Sequence, residues 1–204
     1  KISGSFELGF GHIKRSLALI NEITKNLQAD NIVIFCNCQE KSVIDFLKPY
    51  KFFLNENGHH KIIDYIRKQN VGVMVIDEPV DNIELCSILK KLMPEVLLIC
   101  LDYFNYKNSF INAIINLFNH NIQISNPSEE FKGRYYEGLE YAIIRDSFIP
   151  YIKKNKKIGS KVQRILITFG GADTNNNTLK SLVLLDSVGY SRNVDVVVGP
   201  FFKN

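Results

Sequence analysis

The sequence predicts an α/β fold built on a mostly parallel sheet, and three observations carry that expectation. Short apolar runs, rich in β-branched residues, alternate with amphipathic segments of helical length. The runs are continuously apolar, as strands covered on both faces are. Glycine-bearing loops stand before two of the helical segments, at Gly9-Phe10-Gly11 and Gly170-Gly171.

The elements follow in order. Ile13, Leu17, Ile20, Ile23 and Leu27 make a stripe at three- and four-residue spacing, which predicts a helix from Ile13 to Leu27. Ile32 to Cys36 reads as a buried strand. Asn57-Gly58 marks a turn, and a helix is expected from His60 to Lys68. Val71 to Ile76 is a second strand and Ile83 to Leu92 a third helix. Met93-Pro94 ends that helix, because proline disfavours helical geometry in the residue before it. Val96 to Leu101 is a third strand. In such sheets ligands bind beyond the carboxyl ends of the strands. The loops before the Ile13 helix, after Ile76 and after Leu101 are therefore the places to look.

The pattern changes near residue 150. Pro150 to Lys161 is polar and basic and reads as a linker, with Lys153-Lys154-Asn155-Lys156-Lys157 as a solvated run. A β-α-β unit then follows: a strand from Arg164 to Phe169, a helix from Thr178 to Val188, and a strand from Val194 to Gly199. The expected division is a first domain over 1–150, a linker over 151–163, and the opening of a second α/β domain over 164–204. A segment as short as 164–204 does not bury a core alone. At the other end, Lys1 to Phe6 leaves little room for a strand before the first glycine loop. The expectation is a piece of a longer protein.

Composition sets outer bounds. The 204 residues are 46% hydrophobic and 23% charged, with 25 basic and 21 acidic side chains and a net charge of +4. So small a surplus, scattered along the chain, is no nucleic-acid signature. Cys36, Cys38, Cys86 and Cys100 are expected as buried free thiols, and Cys36-Asn37-Cys38 lacks metal-ligand spacing. Cysteines of this kind fit a reducing, cytoplasmic setting. No apolar run reaches the roughly 20 residues that span a bilayer. Lys1-Ile2-Ser3-Gly4 is no signal peptide. His59, His60 and His120 lack partners in register, so no metal and no cofactor is expected.

Two loops carry candidate chemistry. Gly9 and Gly11 let the backbone approach a ligand closely. The helix that follows offers a positive dipole end to a phosphate or developing anion. His12 stands at that helix start, where a neutral imidazole suits a general base. Lys14 stands where a dinucleotide fingerprint needs its third glycine, so the loop is not an NAD site. Spacing alone fits a structural turn with an exposed histidine equally well. Gly170-Gly171-Ala172-Asp173 again places glycines between strand and helix, where amides can line a diphosphate. No Gly-Lys-Ser/Thr follows, so it is not a P-loop. A plain strand-to-helix turn, capped by Asn177 or Thr178, is the alternative. Asp77 and Asp102 each lie just past a strand, where acids face the ligand crevice or cap loops.

Taken in order, three segments resemble one family. Gly9-Phe10-Gly11-His12-Ile13-Lys14-Arg15 is similar to the Gly-x-Gly-His-x-x-Arg opening of UDP-sugar hydrolases of the pseudaminic acid pathway and of related spore-coat polysaccharide proteins. Gly138 to Phe148 resembles the family's Gly-x-x-Tyr-Ala-Leu-Ile-Arg-x-x-Phe, through Tyr141 and Arg145. Ile165 to Asp173, with Asn177 and Thr178 beyond, is the third match. The resemblance implies a glycosyltransferase-B architecture of two Rossmann-like halves around a cleft. It implies a UDP-sugar substrate cleaved at the anomeric carbon, with His12 as the catalytic residue activating water. Gly9, Gly11, Arg15, Asp77, Asp102, Tyr141 and Arg145 are the implied substrate-side residues. Gly170, Gly171, Asp173 and Thr178 form the implied nucleotide-phosphate loop. The chain departs from the family pattern at Asp77-Glu78-Pro79 and at Leu101-Asp102, loops that border the sugar. Transfer of the sugar to an acceptor, or sugar-nucleotide binding without turnover, are the competing expectations.

Overall fold

The computed structural model describes residues 1–3, 11–27, 31–38, 40–54, 58–78, 82–103, 109–117, 131–152, 159–199 and 202. Gly9, Pro79 and His120 lie outside the described residues, as do 153–158 of the expected linker.

The first part of the chain is an α/β layer structure. Its strands are β1 (Ile2–Ser3), β2 (Ile34–Asn37), β3 (Phe52–Leu54), β4 (Val73–Ile76), β5 (Leu97–Leu101), β6 (Ala113–Asn116) and β7 (Arg134–Glu137). Its helices are α1 (Gly11–Leu27), α2 (Lys41–Leu47), α3 (His60–Gln69), α4 (Ile83–Leu92) and the short α5 (Ile149–Ile152). Strands β1, β2 and β3 pair in parallel, and so do β4, β5, β6 and β7. A parallel bridge between Ile2 and Asp77 joins the two groups, with the Asp77 N–H donating to the Lys1 carbonyl at 2.9 Å. The combined order is β3-β2-β1-β4-β5-β6-β7, a doubly wound, Rossmann-like sequence of strands. The order reverses between β1 and β4. In doubly wound sheets such a reversal marks a crevice at the carboxyl ends of the strands.

Two apolar layers hold the sheet. On one face Ile13 of α1 and Val43 and Leu47 of α2 bury against Ile2, Ile34 and Cys36. On the other, Ile62 and Ile66 of α3 and Leu85 and Leu89 of α4 bury against Phe35, Met74, Ile76, Leu98 and Ile114. Alternation along β2 sends Phe35 to the second layer and its two neighbours to the first, as the two-residue period of a strand requires. All four cysteines are buried free thiols. Burial pushes the Cys36 thiol up to about 12, which removes it as a nucleophile at neutral pH. No helix among the described residues is long and apolar enough to cross a membrane.

The second part holds β8 (Arg164–Thr168), α6 (Asn177–Ser187) and β9 (Asn193–Val197), with β8 and β9 parallel. Much of its apolar surface is exposed, including Leu166, Leu184 and Val198.

The elements read from the sequence form, with ends shifted by at most two residues. Strands β1, β3, β6 and β7 and helices α2 and α5 were not read from it. Three residues of β3 and seven of α2 are too short for a period to show. In β7, Arg134-Tyr135-Tyr136-Glu137 lacks the apolar run expected of a covered strand. Helix α5 also crosses the boundary drawn at 150, so ordered structure continues into the expected linker.

Candidate active site

The crevice at the β1–β4 reversal gathers side chains from three elements. His12, Arg15 and Ser16 share one face of α1, at the three- and four-residue spacing that makes helical neighbours. Asp77 follows β4 and Asp102 follows β5. Main-chain pairing to β1 fixes the Asp77 backbone at the reversal.

Asp77 is the centre of the cluster and is fully buried. Its Oδ1 accepts from His12 Nδ1 at 2.7 Å and from Arg15 Nη2. Its Oδ2 accepts from Arg15 Nε at 3.0 Å and from Ser16 Oγ at 2.9 Å. A buried carboxylate with four donors is well satisfied. Burial alone would raise the Asp77 carboxyl. The hydrogen bonds from His12 and Arg15 and the guanidinium charge outweigh it and hold the group below the ordinary Asp value. The same contacts with Asp77 and Asp102 raise Arg15 against the opposing effect of burial.

Asp102 completes the guanidinium's partners, with Oδ2 accepting from Arg15 Nη1. Its Oδ1 accepts from the Leu117 N–H at 3.0 Å. Its backbone is left-handed, φ 48°, a conformation that Asp tolerates better than most residues. Buried Asn116 holds the next residue at both ends. Its Oδ1 accepts from Tyr103 N at 2.9 Å and its Nδ2 donates to Tyr103 O at 3.2 Å. The β5 loop is thus tied down at the point where it presents Asp102.

The hydrogen bonds assign the imidazole tautomer. A carboxylate only accepts, so the 2.7 Å contact requires a proton on His12 Nδ1. In a neutral ring the lone pair is then on Nε2. Arg15 Nη2 lies 3.2 Å from the same Nδ1, but both are donors, so this approach is a neighbouring charge and not a hydrogen bond. His12 keeps about a quarter of its side chain exposed, at 23%. Gly11 begins α1, and a Cβ built on it meets nothing within 4 Å.

A second polar cluster, absent from the sequence reading, lies behind the first. Lys1 Nζ pairs with Glu78 and donates to Asn82 Oδ1 at 2.9 Å, while Asn82 Nδ2 donates to Glu78 Oε2 at 3.1 Å. Asp77 and Glu78 are adjacent, so strand alternation sends them to opposite faces. Asp77 meets α1, and Glu78 is bound to the start of α4. The tandem acids at a strand end were the available signal.

The second glycine turn is built differently. Gly170 has φ 75° and Asp173 φ 42°. Asp173 Oδ1 accepts from Asn177 N and Oδ2 from Thr178 N, each at 2.8 Å. Asp173 therefore caps α6, the role the alternative reading gave to Asn177 or Thr178. Slight desolvation raises its carboxyl, but the Thr178 and Asn177 hydrogen bonds lower it below the ordinary Asp value. Ala172 packs against the core layer that contains Ile13, so the turn comes to the α1 side of the sheet. A Cβ on Gly199 would sit 2.4 Å from Gly171 O and 2.6 Å from Gly170 O, so the chain after β9 packs directly on the turn.

Tyr141 and Arg145 do not join the His12 cluster. The Tyr141 ring packs on Tyr136, with centroids 5.5 Å apart. Arg145 stacks over Phe148 at 4.9 Å and borders a cleft of about 370 Å³ with Lys14, Leu17 and Asn21. Those three residues lie on a different face of α1 from His12, Arg15 and Ser16. Among the described residues, no group of three His, Cys, Asp or Glu side chains could hold a metal ion.

Strand order and cluster together define a Rossmann-like domain with a histidine–carboxylate pair at the carboxyl ends of its strands. No family model matches the chain. It is 30% identical over 209 residues to an uncharacterized protein of Methanocaldococcus jannaschii, covering 98% of this chain and 42% of that one. It is 28% identical over 184 residues to the UDP-2,4-diacetamido-2,4,6-trideoxy-beta-L-altropyranose hydrolase of Campylobacter jejuni, covering 86% of this chain and 61% of that enzyme. The chain thus spans less than two thirds of the length of either relative.

Proposed function

We propose that this chain carries the catalytic domain of a nucleotide-sugar hydrolase, with His12 as general base and Asp77 as its orienting carboxylate. The observation that carries the reading is the 2.7 Å contact between His12 Nδ1 and Asp77 at the sheet's reversal point. In the neutral ring that contact leaves the lone pair on Nε2, the arrangement a base needs. Nε2 takes a proton from water, and that water attacks the anomeric carbon. The bond from that carbon to the diphosphate oxygen breaks, and the nucleoside diphosphate leaves. The fixed Asp77 carboxylate stabilises the imidazolium that forms. Nothing in this sequence of steps calls for a cofactor.

The diphosphate is assigned to the space before α1, at Gly9 and Gly11, and to the backbone of Gly170 and Gly171 opposite. Asp173 and Thr178 support that second turn through the cap. Asp102 borders the sugar. Tyr141 and Arg145 are assigned to packing where the first domain ends. The division into 1–150, 151–163 and 164–204, as two halves of a glycosyltransferase-B cleft, belongs to the same proposal. So does a UDP-sugar of the amino-deoxy class, the kind named for the Campylobacter jejuni relative.

The test is acceptor dependence. The full-length protein, supplied with that UDP-sugar, is expected to release free UDP at the same rate with and without a sugar acceptor. Release only in the presence of an acceptor would replace hydrolysis by glycosyl transfer. Binding without release would replace it by a non-catalytic module.

A further inference from the structure

We propose that Arg15 is a charge-balancing positioning residue rather than a substrate ligand: it supplies the positive charge that Asp77 and Asp102 demand, so that His12 is left to act as a base. This rests on the His12 reading above.

The geometry carries it. All three guanidinium nitrogens are engaged, Nε and Nη2 on Asp77 and Nη1 on Asp102. The side chain is only 14% exposed. Three of the five guanidinium N–H groups, one on each nitrogen, are thus committed to the two carboxylates, which fixes the fork toward them. Its fork also closes both oxygens of Asp77, with Ser16 filling what remains. His12 is consequently confined to one approach, through Nδ1 to Oδ1.

Charge arithmetic gives the second half of the argument. Asp77 and Asp102 bring two negative charges and Arg15 one positive. Without Arg15, His12 would be the remaining basic group of the cluster, and a buried carboxylate recruits a proton onto the nearest base. With Arg15 in place, its Nη2 stands 3.2 Å from Nδ1 and opposes a second cation there. Among the described residues, the charged groups facing His12 are Arg15 from its own helix and Asp77 from β4. Asp102 of the β5 loop acts on it through Arg15.

The experiment compares Arg15→Gln with Arg15→Lys in the full-length protein. In Arg15→Gln, the acid limb of the kcat/KM profile should move to higher pH by about 1 to 3 units. Turnover should recover above the limb, which a merely misfolded site would not show. Arg15→Lys keeps the charge and should keep the limb close to that of the parent. The UDP dissociation constant should stay within about threefold in both, because less than one hydrogen bond's worth of affinity is at stake. If Arg15→Gln does not fold, Asp102→Asn reads the balance from the other side, and its limb should move to lower pH. An unmoved limb in Arg15→Gln or Asp102→Asn, a shifted limb in Arg15→Lys, or a more than tenfold loss of UDP affinity overturns the proposal. Nitrogen-15 NMR of His12 gives the same comparison without turnover. The parent should show a proton on Nδ1 alone and Arg15→Gln a doubly protonated ring at the same neutral pH. Failure of UDP release in the parent would therefore reject the hydrolase reading and leave the Arg15 proposal to be decided by the spectra.

Discussion

The starts of α1 and α6 are alike in sequence and opposite in construction. Both helices follow glycine-bearing segments of sequence. At α1 the carboxylates that meet the first turns arrive from distant strands, Asp77 from β4 and Asp102 from β5. At α6 the carboxylate is Asp173, from the same turn, and it is spent on the helix's own amides. The first arrangement holds an imidazole with one nitrogen free. The second closes on itself and leaves only the turn's backbone for a ligand. A glycine loop before a helix thus gains chemistry from what the sheet brings beside it, and the loop pattern alone does not separate the two cases.

The largest expected effect that could break this comparison is at Asp77. Asp77→Asn replaces one of the two acceptor oxygens by an NH2 donor, so the His12 tautomer is no longer fixed by a carboxylate, and Arg15 is left short of a counter-charge. Turnover should fall by about two to four orders of magnitude. Unfolding stability should fall by about 3–5 kcal/mol, the usual cost of breaking a buried pair. Denaturant titration and UDP-release kinetics measure the two losses separately. Intact turnover would mean that the α1 cluster is as self-contained as the α6 cap.

Gly11→Ala sharpens the contrast on the ligand side. The added Cβ enters open space, so the fold should tolerate it, and Ala is the better helix former by up to about 1 kcal/mol. If a ligand backs onto this glycine, KM should rise at least several-fold while the melting temperature holds or rises. An unchanged KM would leave Gly11 as a structural helix start.

Asp173→Ala carries the smallest effect. Losing the cap should lower the melting temperature by roughly 2–4 °C at pH 7, with little change in turnover. The pH dependence has a definite sign. Asp173 is held below its ordinary value when folded. Its contribution is therefore complete above about pH 4, the unfolded value, and is lost as pH falls through the lowered one. Thermal melts of the parent and Asp173→Ala should converge on acidification. A loss of turnover as large as that of Asp77→Asn would make the two helix starts functional equals.

Much of the fold was legible because β4 and β5 are continuously apolar runs, although burial is complete only on the face of Met74, Ile76, Leu98 and Cys100, while Val73 and Leu97 of the other face stay exposed. The rule that ligands bind at carboxyl strand ends then pointed to Asp77 and Asp102 without any contact being known. What the sequence withheld were long-range pairings. Arg15 meets Asp77 across 62 positions and Asp102 across 87. Nothing local distinguishes an arginine that binds two carboxylates from one that binds a phosphate. The Lys1–Glu78–Asn82 cluster was hidden for the same reason, although alternation already separated Glu78 from Asp77. Strand β7 was hidden because its charged ends, Arg134 and Glu137, break the apolar signature.

The most direct measurement is the rate of acceptor-independent UDP release by the full-length protein and by its His12→Ala variant, with UDP affinity followed by calorimetry. A general base at His12 predicts a fall of about two to four orders of magnitude in turnover, with UDP still bound. An unchanged rate in His12→Ala would contradict the account.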